Sequence, residues 1–98
     1  VADLIVTITR YADEHQPGWV ECEFADADGR LHHFLESGLV VSQHVLTAAS
    51  DYPRVGRISC RIAEEWGDQS GIDLARIFLD AAGADDETSY VILASDLR

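Results

Sequence analysis

Hydrophobic positions recur at every second residue through the first third of the chain. Between Val1 and Tyr11, Leu4, Val6 and Ile8 fall on one side, and Ile5, Thr7, Thr9 and Tyr11 on the other. That period, with many β-branched residues, predicts a strand, because successive strand side chains point to opposite faces. The segment "ADEHQPG" predicts a turn punctuated by Pro17 and Gly18. From Trp19 to Ala25 the alternation resumes, with Val20, Cys22 and Phe24 facing one way and Trp19, Glu21 and Glu23 the other. After "DADG", Leu31, His33 and Leu35 continue the apolar side, and His32, Phe34 and Glu36 lie opposite. Two alternating runs joined through Asp-Gly predict a β-hairpin.

Loop length sets the register of that hairpin. A two-residue loop at Asp28 and Gly29 puts Glu21 across from Glu36, an unfavourable like-charge pair. A four-residue loop puts Glu23 opposite His32 and is preferred. Both place Val20, Cys22, Phe24, Leu31, His33 and Leu35 on the core face, with Trp19 and Phe34 on the polar side.

The stretch "SGLVVSQHVLTAASDYPRVG" breaks the alternation. Ser42 is placed to cap one or two helical turns over Gln43 to Ala49, with Pro53 and Gly56 ending that segment. Arg57 to Trp66 reads as the next strand, with Ile58, Cys60, Ile62 and Trp66 inward and Arg57, Ser59 and Arg61 outward. "GDQSG" is a turn. Ile72 to Ala82 fits two patterns. Asp73 as cap, Gly83 as terminator and a stripe of Leu74, Ile77, Phe78 and Ala81 describe a helix. Ile72, Leu74 and Phe78 also fit a strand interrupted by Arg76, and the β-rich surroundings tip the reading towards the strand. "AGADDET" is an acidic loop, and Tyr90 to Ala94 forms a last strand. No repeat or linker divides the chain. Residues 1–98 are expected to form one mainly β domain, a small barrel or strongly bent antiparallel sheet of five to six strands with one or two short helices.

Composition adds charge to this picture. The 98 residues carry a net charge of −11, from 18 acidic and 7 basic residues, and every basic residue is arginine. Such an excess opposes binding to a phosphate backbone or an anionic membrane surface. It favours solubility, or attraction to a basic partner protein. The apolar run "LIV" is too short for a membrane span or a signal segment, so a soluble, cytoplasmic protein is expected. Cys22 and Cys60 are too few for a disulfide scaffold, and both fall on inner faces as inert buried thiols.

Several candidate chemistries fail on spacing. Asp26 and Asp28 imitate the first ligands of a calcium loop, but Leu31 and Ser37 occupy the places of its glycine and bidentate glutamate. His32 and His33 point to opposite faces of a strand and cannot easily share an ion. His33 is expected inside, beside Phe24, and His32 in solvent. "VLTAASDYP" and "GDQSG" resemble fragments of trypsin-like proteases, yet Ser50 stands where the histidine belongs and Gln69 interrupts the second motif, so the triad has no base. No metal or cofactor is expected.

Binding candidates remain. Arg57 and Arg61, with Arg54, either form a cross-strand ladder with Glu21 and Glu23 or make a cationic spot on an acidic body. Trp19 and Phe34 are expected to form an aromatic edge, either covered by the 42–50 segment or open for recognition. The leading expectation is a non-catalytic interaction module that docks a basic partner protein through its acidic face and that edge. The alternative is a barrel binding an anionic small molecule through Arg57 and Arg61. A small enzyme using His33 with Cys22 or Asp26 is a third reading. Oligomeric state is open, since an unpaired barrel edge could pair with another into a dimer.

Overall fold

The computed structural model describes residues 2–12, 18–80 and 88–98. The predicted turn over 13–17 and most of the acidic loop, residues 82–87 with Gly83, lie outside that set. The strands are β1 (Ala2–Tyr11), β2 (Trp19–Ala25), β3 (Leu31–Ser37), β4 (Arg54–Gly67), β5 (Asp73–Leu79) and β6 (Tyr90–Leu93). A four-residue helix, α1 (Gly38–Val41), follows β3, and a 3₁₀ turn at Ala94–Asp96 follows β6. The six strands form one antiparallel sheet in the order β3-β2-β1-β4-β5-β6, curled into a half-barrel.

Alternation builds the concave face. Leu4, Val6 and Ile8 of β1 meet Val20, Cys22 and Phe24 of β2, Ile58 and Cys60 of β4, Ile77 of β5 and Ile92 of β6 in one buried cluster. Val41 and Leu46 come in from outside the sheet to complete it. The curl brings distant parts of the sheet together. The Ala27 N–H, in the β2–β3 loop, donates to the carbonyl of Val91 in β6 at 2.8 Å. Leu4 bridges Leu97, and Asp3 and Arg98 exchange backbone hydrogen bonds of 3.2 and 2.8 Å.

The β2–β3 hairpin departs from both expected registers. Glu23 pairs with His33, Phe24 with His32 and Ala25 with Leu31, leaving residues 26–30 as the connection. The Asp26 N–H donates to the Arg30 carbonyl at 2.9 Å, and the Gly29 N–H donates to the Asp26 carbonyl at 3.0 Å. Gly29 has φ 79°, the left-handed conformation that ends a three-residue loop. An odd loop length shifts the pairing by one residue, which moves the strand's other set of side chains to the core. Leu31, His33 and Leu35 are therefore exposed, and Phe34 packs against the core. Glu36 is buried on that same face, where its Oε1 accepts the Ser37 N–H at 2.8 Å.

Four further expectations are corrected. The helix forms over Gly38–Val41 and ends at Ser42, instead of starting there, because Ser37 caps it by accepting the Leu39 N–H. Gly56 lies inside β4, which starts at Arg54, and does not stop the preceding segment. An alanine-sized side chain at Gly56 would come within 2.7 Å of Ile8 Cδ1 and 2.8 Å of the Val41 carbonyl, so the missing Cβ lets Val41 cross the sheet closely. Residues 73–79 form a strand, as favoured, but Ala75, Ile77 and Leu79 face the core in place of Leu74 and Phe78. Ile62 and Trp66 are not the buried pair expected: Ile62 is 37% exposed and Trp66 half-buried, where a register irregularity between Ile62 and Glu64 disturbs the alternation. Beyond that point the β4–β5 hairpin carries exposed Glu64, Glu65, Asp68 and Asp73.

Candidate functional site

The expected binding residues do not converge. Trp19 is half-buried opposite Ser37, and Phe34 pairs with Cys22, so the two belong to opposite faces of the sheet and form no common edge. Strand β1 separates β2 from β4, so the ladder between Glu21, Glu23 and the arginines does not form. Glu21 pairs with Arg10, and Glu23 lies 3.1 Å from His33. Arg61 sits over the Phe78 ring, 4.5 Å from its centroid, which takes it away from Arg57 as a joint site.

Arg57 does line a groove, with Arg54. Alternation along β4 turns Val55, Arg57 and Ser59 away from buried Gly56, Ile58 and Cys60. The chain leaving β3 turns at once into α1, buries Val41 and leaves Leu39 and Val40 at 75% and 52% exposure. Between α1 and β4 the surface forms an open groove of about 820 Å³, whose walls include Leu39, Val40, Val55, Arg54 and Arg57, with Asp3 and Ser59 also lining it. Val55 is 72% exposed. Among the described residues neither Arg54 nor Arg57 has an ion-pair partner. Aliphatic residues and two arginines therefore line one groove, and an unpaired guanidinium keeps donors available for carboxylates.

A second constellation is structural in construction. Asp26 Oδ1 accepts the N–H groups of Asp28 and Arg30 at 2.9 and 3.0 Å, and Oδ2 lies 2.8 Å from His32 Nε2. The bond to His32 holds the Asp26 carboxyl below the usual carboxylate range; the loop N–H groups add to this, against the cost of desolvation. His32 stacks on Phe24 at 5.3 Å and meets the Tyr90 ring edge-on at 4.9 Å. Thus His32, not His33, is the enclosed histidine, and the exposed His33 lies on the opposite face of the hairpin from buried Cys22.

Cys22 and Cys60 are buried and free. Burial, reinforced by the charges of Glu36 and Glu21, pushes the Cys22 thiol up to about 12. Burial, with Asp3 and Asp80, pushes Cys60 up to about 11. Both are therefore protonated and unreactive at neutral pH.

Sequence reasoning named Arg57 and mentioned Arg54 but missed Leu39, Val40 and Val55. The available signal was "SGLVV": a capping serine before three apolar residues, too many for a four-residue helix to bury at once. No described helix is long and apolar enough to cross a membrane. Comparison with protein families, with curated proteins and with solved structures finds no match.

Proposed function

We propose that this domain is a non-catalytic interaction module that docks a partner polypeptide along the groove between α1 and β4. The observation that carries this reading is the juxtaposition of exposed Leu39, Val40 and Val55 with Arg54 and Arg57 in one groove. Exposed aliphatic surface gains free energy when covered, and the arginines select what covers it. The fitting partner is an extended segment that alternates aliphatic side chains with carboxylates. This relocates the interaction surface from Trp19 and Phe34 and replaces the pair Arg57 and Arg61 with Arg54 and Arg57.

Selection from a random peptide library on the immobilised protein tests this. Enriched sequences should combine Leu, Ile or Val with Asp or Glu. The double substitution Arg54→Glu with Arg57→Glu should abolish the enrichment without loss of fold, since neither side chain is in the core. Selection that remains unchanged in this variant would overturn the reading.

A second reading rests on the exposed carboxylates Glu64, Glu65, Asp68 and Asp73 of the β4–β5 hairpin, which present negative charge to a basic partner protein. Enrichment of Lys- and Arg-rich peptides, weakened by salt and removed by Glu65→Lys with Asp68→Lys, would favour it over the groove.

A further inference from the structure

The β2–β3 ladder fixes which backbone groups of β3 face outward. At one end the Asp26 N–H donates to the Arg30 carbonyl, and at the other the Gly38 N–H donates to the Gly18 carbonyl at 2.7 Å. Both pairs have the same parity as Phe24 with His32 and Cys22 with Phe34. In an antiparallel ladder, residues alternate between bonding inward and outward. His32, Phe34 and Glu36 therefore bond to β2, and the N–H and C=O groups of Leu31, His33 and Leu35 point away from the sheet. Strand β3 is the edge of the sheet, and among the described residues no strand lies beyond it. The same three residues present exposed side chains, Leu31 at 56% and Leu35 at 40%.

Edges of natural sheets are commonly guarded by lysine, proline, bulges or inward charges. Glu36, buried near the end of β3, is an inward charge of this kind, but Leu31 to Leu35 carries no lysine, proline, bulge, Asp or Glu, in a chain of net charge −11. The stretch is also close to self-complementary. When β3 lies antiparallel to itself with the two-fold axis at His33, Leu31 falls opposite Leu35 of the second copy, and Leu35 opposite Leu31. One step further, Glu36 takes no part across this seam, because it is buried on the inner face and its Oε1 already accepts the Ser37 N–H. The registers one pair to either side set a leucine against His33 and lose the leucine–leucine pairs.

We propose that two copies of this chain associate edge to edge through β3, in antiparallel register centred on His33, joining two half-barrels into one continuous sheet. Pairing five residues buries less than the roughly 1,200 Å² of a stable interface, so the dimer is weak and exchanges with monomer. Both copies carry −11, so salt strengthens association by screening their repulsion. This is the opposite sign from docking of a basic partner.

Sedimentation velocity over a concentration series, at low and high salt, reads the association directly. The expected result is a monomer–dimer equilibrium that tightens with salt. The double substitution Leu31→Lys with Leu35→Lys sets lysine against lysine at both flanking pairs. It should weaken association by about tenfold or more while leaving the circular dichroism and melting temperature unchanged, because both positions are exposed. Cross-linking reads the register. Paired residues across such a ladder have Cα atoms about 5.5 Å apart, within disulfide reach. His33→Cys should link two copies under mild oxidant. Leu31→Cys should not, because its counterpart lies about four residues along the ladder, roughly 13 Å away. A monomer at every concentration in high salt would overturn the proposal. So would undiminished dimer in the lysine variant, or equally fast cross-linking of Leu31→Cys.

Discussion

At the residue scale, Asp26 and Gly56 show how one position commands its surroundings. The Asp26 carboxylate answers two loop N–H groups and His32, and its proton affinity is lowered in the folded state. A carboxyl with a depressed folded pKa contributes stability above its unfolded value, about 3.9, and loses that contribution as pH falls through the folded value. Urea denaturation of Asp26→Asn should therefore show lower stability than the parent near pH 7. The difference should shrink as the pH is taken down through the acid range, where the parent also loses the charge. A constant difference at all pH values would assign the role of Asp26 to loop geometry and not to its charge. Gly56 acts by absence. A methyl group there meets Ile8 Cδ1 and the Val41 carbonyl, and the carbonyl, being backbone, cannot rotate aside. Gly56→Ala should destabilise the fold by roughly 1–3 kcal/mol as overpacking, measured by denaturant titration.

At the element scale, the faces of β1, β2 and the inner part of β4 were legible because period-two patterning there has no competing signal. Leu4, Val6, Ile8, Val20, Cys22, Phe24, Ile58 and Cys60 are all buried. Strand β3 was misread because "LHHFLE" places apolar groups on both parities, so only the loop could decide the face. The deciding signal was a repeated spacing. Asp26 and Gly29 recur as Asp68 and Gly71, and each aspartate accepts N–H groups two and four residues on. Gly71, with φ 82°, matches Gly29. Two loops with one geometry identify Asp-x-x-Gly as an odd-length connection. The groove was less legible, since Leu39, Val40 and Val55 become neighbours of Arg54 and Arg57 only when α1 folds over β4. The register makes a direct test available. Phe34→Ala should cost about 2 kcal/mol or more, whereas Leu35→Ala should stay within roughly 0.5–1 kcal/mol, measured on the same denaturation curves. The reverse order would restore the even loop and return Leu35 to the core.

At the scale of the whole molecule, stability depends on how the half-barrel holds its curl. Sheet twist alone turns β6 towards the β2–β3 loop but does not fasten it there. Besides the Leu4–Leu97 bridge, the fastening at that loop is the Ala27 to Val91 hydrogen bond together with an aromatic knot, in which Tyr90 meets Phe24 edge-on at 5.2 Å and His32 at 4.9 Å. Strands β1 and β4 each pair with strands on both sides, whereas among the described residues β6 pairs with β5 alone. The opening with the smallest loss of buried contact therefore releases β6 from the β2–β3 loop and leaves β1 and β4 joined. Tyr90→Ala removes the ring that spans this seam. Its amides should respond unequally in native-state hydrogen exchange: Val91, Ile92 and the loop residue Ala27 lose protection, while Leu4, Val6 and Ile58 keep most of theirs. If all of these amides instead lost protection by the same factor, the seam would have no opening of its own. The curl would then belong to a single cooperative unit held by the Leu4–Ile58 core, with the aromatic knot contributing only to its total.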